Sequence, residues 1–434
     1  MKPLTCVGLF LSFSFLAFAP ALSEAPTGFD NKSNGVVDDA THTADQAKFE
    51  EVEALTDGLG PLYNAQSCRE CHQNPTTGGS SQVAELRAGH RDAKGVFQNP
   101  EVPINHGTEV IKGRSLINDR AICPSGAFPS GEIQEHIPDS EKIRTFRVSL
   151  NLLGDGFVEA LSDQTLLDIA KDQCKKSQGK ICGQALYVPI VEVPGKTAVG
   201  RFGWKDQHAS LLSFSADAYL NEMGITSRLQ PDEVTNICNT ASEPNDKPDA
   251  DGLSDIDHFA RFIRASEAPA RDVTLSQSPE VKNGEVLFGK IGCATCHVAT
   301  LTTAAAGTAI DGGNFTIPPA LGDKTFHPYG DFLLHNVGTG DGIVQALVEH
   351  YGRRFAERTW EKFSQHEFNS SANKIRTAPL WGVRLHSRLM HDGASVTFTD
   401  AIRRHRGEAS QVTEEFEKLK PAEKKALLTF LQSL

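Results

Sequence analysis

The chain has 434 residues, of which 39% are apolar and 23% charged, so it carries enough apolar material for a large core and is not a disordered chain. Its formal net charge of −12 argues against a nucleic-acid partner, because such proteins need a basic surface. No long apolar run follows the first two dozen residues, which excludes a protein with several membrane spans.

The N-terminus has the pattern of a secretory signal peptide. Lys2 supplies a positive charge, residues 4–22 are almost wholly apolar, and small residues end this run. We therefore predict that residues 1–23 are removed and that no membrane span remains after cleavage. The alternative is an uncleaved membrane anchor, which the shortness of the apolar run disfavours. Cleavage would place the mature chain in the periplasm, an oxidising compartment.

Two copies of the pattern C-x-x-C-H occur, at 68–72 and 293–297. This is the attachment motif of c-type haem, because thiols two residues apart reach both haem vinyl groups and the adjacent histidine reaches the iron. Paired C-x-x-C units also form zinc sites, but zinc does not require a histidine directly after each second cysteine. We therefore predict two covalently bound haem c groups. The predicted attachment and ligand residues are Cys68, Cys71, His72, Cys293, Cys296 and His297.

The residues in front of the two motifs repeat each other. A leucine followed by an aromatic residue stands at 62–63 and again at 287–288, each time with four residues between the pair and the first cysteine. The recurring offset indicates an internal repeat in which a helix leads into a haem loop. The composition of 45–55 and 278–288 predicts these two helices.

The segment between the motifs is longer than a minimal cytochrome c domain, so the first haem unit must carry large additions. Strand-like sequence at 187–193 and 197–204 flanks a turn at 194–195. Polar, proline-bearing sequence near residue 275 predicts a domain boundary, and 421–434 has the pattern of an amphipathic helix. We expect a signal peptide at 1–23, an N-terminal haem domain with insertions at 24–275 and a C-terminal haem domain at 276–434.

Four further cysteines lie in the predicted mature chain, and an oxidising compartment favours disulfides among them. Cys174 and Cys182 enclose a short loop, which makes them the natural first pair. Cys123 with Cys238 would follow by elimination. The spacing alone leaves the other connectivities open.

The sixth ligand of each haem iron decides its function. A histidine or methionine there gives electron transfer, whereas an exchangeable position gives chemistry on oxygen species. The predicted mature chain has only two methionines, Met223 and Met390, and Met390 lies in the second haem unit. We predict Met390 as the ligand of the C-terminal haem; the alternative is a methionine that fills the core. The sixth ligand of the N-terminal haem is left open, and unassigned histidines are His208, His335, His386 and His391.

Six further stretches lie at 62–68, 200–205, 222–226, 380–382, 391–393 and 407–409. Together they resemble the di-haem oxidoreductases catalogued as "putative peroxidases", some of which were formerly labelled thiol oxidoreductases. The resemblance runs from about residue 55 to the C-terminus, and the stretches follow the order that the family has. More distantly, the sequence is similar to bacterial di-haem cytochrome c peroxidases and to the di-haem enzymes that mature a tryptophan-derived quinone cofactor.

The resemblance implies a mainly α fold made of two cytochrome c-type domains packed across a pseudo-twofold interface, with loop and short-strand insertions in the N-terminal domain. It also implies that the N-terminal haem reacts with peroxide and that the C-terminal haem transfers electrons. These are expectations about the fold and about the different roles of the two haem sites.

The resemblance also assigns roles to single residues. Trp204 matches a tryptophan between the two haems, Glu222 matches the distal acid near the N-terminal haem, and Met390 matches the methionine ligand of the C-terminal haem. The alternative readings are a core aromatic for Trp204 and a solvated helix residue for Glu222. The peroxidases place a glutamine ten residues before the acid, where this chain has Leu212. That departure puts efficient peroxide chemistry in doubt.

Two weaker matches concern a cation and a histidine. Thr377 and Pro379 resemble part of an inter-domain calcium site, although its partner asparagine is not evident at 147–149. His90 lies where some peroxidases carry a displaceable distal histidine, but an isolated match of this kind is more often a surface residue.

The sequence therefore predicts an exported di-haem c-type peroxidase. It would reduce hydrogen peroxide, or another small oxidant, with electrons from a soluble donor such as a small cytochrome c or a cupredoxin. The alternatives are a di-haem electron-transfer cytochrome and a haem oxidase acting on a protein or a small organic substrate. A high-spin ferric component in the spectrum would indicate an exchangeable site, whereas two low-spin haems would favour the electron carrier.

Overall fold

The structure is a computed structural model that describes residues 22–123, 129–238, 242–345, 347–352 and 365–434. All but the last two positions of the predicted signal peptide, 1–23, lie outside the described residues. Within these ranges the helices lack the combination of length and apolar character that a membrane crossing needs.

The helices begin and end where local capping chemistry dictates. The side chain of Asp38 accepts a hydrogen bond from the backbone N–H of Thr41, and that of Ser278 accepts one from Val281. Gly292 ends the helix before the second motif, and its φ of 103° is one that favours glycine. The helices are α1 (Asp39–Glu50), α2 (Cys68–Cys71), α3 (Ser130–Ile133), α4 (Asp155–Glu159), α5 (Asp163–Lys176), α6 (Leu211–Met223), α7 (Asp255–Ala265), α8 (Val273–Ser276), α9 (Pro279–Ile291), α10 (Leu347–Tyr351), α11 (Gln365–Asn369), α12 (Phe398–Arg404), α13 (Ser410–Lys418) and α14 (Pro421–Leu431).

The three predicted helices are present with shifted ends. The helix predicted at 278–288 is α9, and the helix predicted at 421–434 is α14. The helix predicted at 45–55 is α1, which begins earlier because Asp38 caps it and ends at Glu50. The predicted arrangement of a helix that leads directly into a motif is therefore found at α9, where Gly292 alone separates the end of the helix from Cys293. The end of α1, by contrast, lies well before Cys68.

The strands are short, and most pair in small antiparallel sheets. The largest sheet is built on β3, which pairs with β9 along most of its length and with β4 and β7 elsewhere. The hairpin predicted around 194–195 is present as β10 and β11, each shorter than predicted. The strands are β1 (Ser23–Glu24), β2 (Leu62–Tyr63), β3 (Ala84–Arg91), β4 (Phe97–Gln98), β5 (Val102–Ile104), β6 (Glu109–Ile111), β7 (Leu116–Ile117), β8 (Arg120–Ala121), β9 (Ile143–Val148), β10 (Tyr187–Pro189), β11 (Thr197–Val199), β12 (Leu301–Thr302), β13 (Ala309–Ile310), β14 (Phe315–Thr316), β15 (Lys324–Phe326), β16 (Leu334–His335) and β17 (Ile375–Arg376).

The prediction of a mainly α fold built from two cytochrome c-type domains is wrong. Among the described residues the strands form seven small sheets that lie between the helices along the whole chain. Most of these strands have two or three residues, which is too short for a recognisable alternation of apolar and polar residues. The longest strand, β3, buries Arg87 and therefore lacks the apolar pattern of a core strand. The fold is a mixture of helices and small sheets.

The largest apolar core takes residues from both sides of residue 275. The ring of Phe157 lies 6.0 Å from that of Phe326, which lies 5.8 Å from that of Trp381. A second core forms where α9 packs on α14, and there Gly284 allows close approach because a Cβ would lie 2.1 Å from the carbonyl oxygen of Ala426. The domain division at residue 275 stays a prediction.

Two disulfides join the four described cysteines outside the motifs. They link Cys174 to Cys182 and Cys123 to Cys238, which confirms both predicted pairs. The long disulfide joins segments 115 residues apart in the sequence. Both bonds lie in the segment between the two motifs and are the pairing expected for an oxidising compartment.

Candidate functional site

The first C-x-x-C-H motif lies on a short helix whose end presents its histidine. Ser67 caps α2 with its side chain, and His72 follows the last residue of the helix. The Nδ1 atom of His72 lies 3.3 Å from the carbonyl oxygen of Gly79, which leaves Nε2 as the nitrogen available to a metal. Burial lowers the pKa of His72 to about 4, so the imidazole is neutral, which is the form that binds iron.

Cys71 and His72 line a cavity of about 810 Å³, which we call the N-terminal cavity. Its other walls come from β3, from β9 and from the last turns of α6. Charged side chains are frequent in these walls, including Glu85, Arg87 and Glu222. A cavity of this size can take a large cofactor, and its polar wall offers groups for acid–base chemistry.

The second motif repeats this arrangement. Gly292 ends α9, and the next three residues form a single 3₁₀ turn. The Nδ1 atom of His297 lies 2.9 Å from the carbonyl oxygen of Tyr329, which again leaves Nε2 available. Burial lowers the pKa of His297 to about 4, so this imidazole is also neutral.

Cys293, Cys296 and His297 line a second cavity of about 570 Å³, which we call the C-terminal cavity. Its lining is mainly apolar and includes Phe288, Leu380, Val383, Leu389, Phe398 and Ile402. Both sites therefore combine a pair of thiols, a neutral buried imidazole and an adjoining cavity, and of the first pair Cys71 is the thiol that lines the cavity. The residues at both sites fit a covalently held haem.

Trp204 lines both cavities, and its predicted place between two haems stays a prediction. Its indole Nε1 donates a hydrogen bond to the carbonyl oxygen of Val148 at 2.8 Å. Its ring lies 6.1 Å from that of His391 in an edge-on arrangement. The hydrogen bond and the neighbouring ring hold the indole in one orientation, which a bridge between two cofactors requires.

Lys205, the next residue, is a fully buried cation. Its Nζ donates hydrogen bonds to the backbone carbonyls of Ser371, Ala372 and Lys374 at 2.7–3.1 Å. The same atom lies 3.1 Å from a carboxylate oxygen of Asp341. Burial lowers the pKa of Lys205 to about 8 in spite of this carboxylate. The ammonium group therefore ties the backbone beside the tryptophan to the C-terminal half of the chain.

Glu222 lies in the wall of the N-terminal cavity, near the end of α6. Asn64 donates a hydrogen bond from Nδ2 to Glu222 Oε2 at 2.8 Å. Burial and the facing carboxylate of Glu85 raise the pKa of Glu222 well above its usual range. Burial opposes the ionisation of Glu85, but the guanidinium of Arg87 outweighs it and lowers the pKa of Glu85. The two shifts run in opposite directions, so that Glu222 is the member of the pair that favours the protonated form.

The sequence reasoning missed Glu85, Asn64 and Arg87. Arg87 is buried and pairs with Glu85 on one side and with Glu349 on the other. No local pattern marks these residues as a site, because Glu85 and Arg87 lie on β3, Asn64 lies in a loop, and they meet Glu222 of α6 only in the folded chain. Buried charged residues within a strand-like segment such as β3 are the one signal that could have indicated a site.

Leu212 replaces the glutamine that the related peroxidases have, and the structure places it in the apolar core. It lines neither cavity. The amide side chains that line the N-terminal cavity, among the described residues, are those of Asn64, Asn118, Gln134, Gln207 and Asn221.

Met390 lies in the wall of the C-terminal cavity, on a tight turn. Its φ of 68° is left-handed, which is rare for a non-glycine residue and marks a fixed conformation. The backbone N–H of Gly393 donates to the Met390 carbonyl at 3.2 Å, and Asp392 on the same turn pairs with Arg404. The cavity therefore holds both His297 and Met390, and the role of Met390 as a ligand stays a prediction.

The other histidines divide between the cavity walls and the rest of the fold. His335, His386, His391 and the unpredicted His405 line the C-terminal cavity. His90 lines neither cavity and has Nδ1 2.8 Å from a carboxylate oxygen of Glu141. The structure thus supports a structural role for His90.

Thr377 and Pro379 line the C-terminal cavity near Trp204. The backbone N–H of Thr377 donates to the carbonyl of Leu333 at 3.0 Å, so this segment is held by main-chain contacts. Val148, in the segment where the asparagine of a calcium site was sought, lies against the indole of Trp204. Calcium binding by Thr377 and Pro379 stays a prediction.

Residues 127–434 match the family described as "Di-haem oxidoreductase, putative peroxidase". The match covers the second C-x-x-C-H motif together with Trp204, Glu222 and Met390, and it begins after the first motif. No curated protein matches the sequence. Among solved structures, the chain is similar to hydrazine synthase of Kuenenia stuttgartiensis pressurised with 20 bar xenon, with 14% identity, a TM-score of 0.39 and coverage of 99% of this chain and 100% of that chain. A likeness of that strength carries no argument about this chain.

Proposed function

Because the chain belongs to the di-haem oxidoreductase family, we propose that it is an exported peroxidase with a covalently bound haem c at each C-x-x-C-H motif. It would reduce hydrogen peroxide with electrons from a soluble donor protein. When bound, the haems supply the iron at which the O–O bond is cleaved and the electrons that this cleavage consumes.

The observation that carries the proposal is the position of Glu222 in the wall of the N-terminal cavity, where burial and the facing carboxylate of Glu85 raise its pKa. Asn64 orients this group through Oε2, and the facing carboxylate of Glu85 favours the protonated form of Glu222. A protonated carboxyl group at this place can give its own proton to the far oxygen of a peroxide while its other oxygen accepts the proton of the near oxygen, so that it ends with one proton, as it began. Such a transfer turns the departing oxygen into water, which is a far better leaving group than hydroxide.

Arg87 makes this exchange repeatable. Its guanidinium pairs with Glu85, and that pairing keeps Glu85 ionised when Glu222 holds the proton. If Glu222 gives up its proton, Glu85 and Arg87 remain as a neutral pair beside it, which limits the repulsion between the two carboxylates. The three groups form a proton store at the cavity wall.

Trp204 is the proposed electron route between the two sites. It lines both cavities, and its hydrogen bond to Val148 fixes its orientation. An aromatic ring that touches both cavities shortens the distance that an electron must cross outside conjugated groups. Met390 as ligand in the C-terminal cavity would favour reduced iron there and make that site the electron-transfer one.

The donor is proposed to be a small cytochrome c or a cupredoxin with a basic docking surface. The chain has a formal net charge of −12, which attracts a positively charged partner and speeds its encounter at low salt. A donor of this kind is soluble and works in the compartment to which a signal peptide at 1–23 would direct the chain.

The test compares Glu222→Gln with the unmodified protein in a single mixing with hydrogen peroxide. The amide keeps the size of the side chain but cannot cycle a proton, so the reaction with peroxide should slow by about 10²–10⁴-fold while both haem spectra stay unchanged. Asp119→Asn is the matched control, because Asp119 is an exposed carboxylate at the edge of the same cavity. It should react at the unmodified rate.

A Glu222→Gln protein that reacts as fast as the unmodified one would remove Glu222 from the proposal.

The position of Leu212 in the apolar core favours a second candidate function, that of a di-haem electron carrier, because the related peroxidases have a glutamine at this position. Absence of any reaction with peroxide in the unmodified protein, with two low-spin haems in its spectrum, would select that candidate.

A further inference from the structure

Two histidines and an aspartate converge beside the N-terminal cavity and have no part in the proposed peroxide chemistry. His208 Nε2 lies 3.0 Å from Asp217 Oδ2, and His350 Nδ1 lies 3.1 Å from the same oxygen. One nitrogen of each histidine and one oxygen of the aspartate lie within 4.8 Å of one another. All three side chains are buried, with His208 completely so.

The three residues are brought together by the fold. Asp217 lies in the middle of α6, His350 lies on α10, and His208 stands just before α6, where it forms a backbone bridge with Phe202. Asn221, one turn further along α6, donates a hydrogen bond from Nδ2 to Asp217 Oδ1 at 2.8 Å. This bond fixes the carboxylate and leaves Oδ2 for the two imidazoles, which is how residues around a metal orient its ligands.

His208 is the observation that points to a ligand. Neither of its ring nitrogens forms a hydrogen bond of normal geometry with any described residue, although the ring is fully buried. A buried polar group without a partner costs about 1–3 kcal/mol, and native proteins contain few of them. The Nε2 atom nevertheless points at a carboxylate oxygen that a second imidazole also approaches. A cation bound between these atoms would give Nε2 of His208 a partner and would join the three side chains.

We propose that His208 Nε2, His350 Nδ1 and Asp217 Oδ2 form a binding site for a divalent first-row transition metal, with Zn²⁺ as its representative. Two neutral imidazoles and one carboxylate suit zinc and its neighbours, whereas calcium and magnesium prefer oxygen ligands. The proposal is separate from the peroxidase function, because it requires neither haem nor Glu222.

The site has three protein ligands and one open side. Asp217 and His350 line the N-terminal cavity, so a fourth position on the metal would face that cavity and could take a water molecule. Metal sites with three protein ligands and a water are typical of reactive zinc, whereas structural zinc has four protein ligands. The other ring nitrogen of His350, Nε2, faces the carboxylate of Glu349, with Oε1 at 4.0 Å.

The test measures zinc binding to fully haem-loaded protein, so that the motif cysteines are not available as ligands. The protein is freed of loosely bound metal with a chelator and then titrated with Zn²⁺, and zinc and iron per chain are counted by mass spectrometry of the elements. We expect one zinc beside the two haem irons. X-ray absorption at the zinc edge, where haem iron does not interfere, should show nitrogen and oxygen neighbours with the signature of two imidazoles.

Three variants locate the metal. His208→Gln and Asp217→Asn keep size and hydrogen bonding but remove a ligand, and each should weaken zinc binding by at least about 100-fold. His90→Gln removes a histidine that lies elsewhere and pairs with Glu141, so it should bind zinc like the unmodified protein. Circular dichroism checks that each variant is folded.

Two results would overturn the proposal. The first is a folded, haem-loaded protein that takes up no zinc beyond its iron, which would mean that the three side chains form a hydrogen-bonded cluster only. The second is equal zinc binding by His208→Gln and the unmodified protein, which would place the zinc elsewhere. If Asp217→Asn does not fold, the absorption spectrum of the unmodified protein and the His208→Gln variant still decide the question.

Discussion

Replacement of Lys205 by methionine should destabilise the protein strongly and disturb the backbone that carries Trp204. The ammonium group is 1% exposed, donates to three backbone carbonyls in 371–374 and lies 3.1 Å from Asp341. Methionine matches the length of the lysine side chain but donates no hydrogen bond. The carbonyls would then be buried without this partner.

The size of the effect follows from the contacts that are lost. Removal of one member of a buried ion pair typically costs about 3–5 kcal/mol, because the other charge is left behind. Here Asp341 keeps a second partner, the guanidinium of Arg147 at 2.7 Å, which lowers the cost. Each buried carbonyl left without a donor adds about 1–3 kcal/mol unless water reaches it. We therefore expect a loss of at least about 3 kcal/mol in the free energy of unfolding.

The assay is guanidinium unfolding of haem-loaded protein at pH 7, followed by circular dichroism. Lys247→Met is the matched control, because Lys247 also donates to backbone carbonyls but is exposed on the surface. It should change the free energy of unfolding by less than about 0.5 kcal/mol. A cost below about 1 kcal/mol for Lys205→Met would refute the reasoning, since it would mean that the buried ammonium group holds nothing in place.

Two further substitutions probe the surroundings of the motifs. Met390→His should lower the reduction potential of the C-terminal haem, measured by potentiometric titration, and abolish any sulfur-to-iron charge-transfer band in the absorption spectrum. If the potential and the band are both unchanged, Met390 is a packing residue. Burial raises the pKa of Glu53 to about 7, although the hydroxyl of Tyr219 donates to it and partly offsets the effect. Because this value lies above that of an unfolded glutamate, about 4.3, the unmodified protein should lose stability as the pH rises through 7. Glu53→Gln should therefore be more stable than the unmodified protein at pH 8, by about 2 kcal/mol after allowance for screening by solvent, and no more stable at pH 4. Equal differences in thermal unfolding at the two pH values would contradict the assigned pKa.

Local chemistry made part of the structure predictable from the sequence. The pairing of Cys174 with Cys182 follows from a short loop, and α9 follows from a capping serine, a proline in the first turn and a terminal glycine. Each of these signals lies within a few residues of the feature that it predicts. The role of Trp204 could be predicted only from the resemblance to a family, because a lone tryptophan in a sequence is most often a core residue.

The features of the fold and the site that the sequence did not predict depend on contacts between segments that lie far apart in the chain. The raised pKa of Glu222 follows from its burial and from its contact with Glu85, a residue of a strand that the sequence did not predict. That strand was missed because its buried charges neutralise one another only in the folded state. The convergence of His208 and Asp217 with His350 is likewise a property of packing, since the third residue lies on a helix far along the chain. The many two-residue strands, which overturned the mainly α prediction, are fixed by backbone hydrogen bonds and leave little trace in side-chain pattern.

The most direct test of the account is the mass of the intact protein under denaturing conditions, because only a covalently attached haem survives them. We expect the mass of the chain plus two haems, and one haem fewer for the variant with Cys293→Ala and Cys296→Ala. A chain that carries no haem after denaturation, or a variant with the same haem content as the unmodified protein, would contradict the central claim that each C-x-x-C-H motif holds a haem.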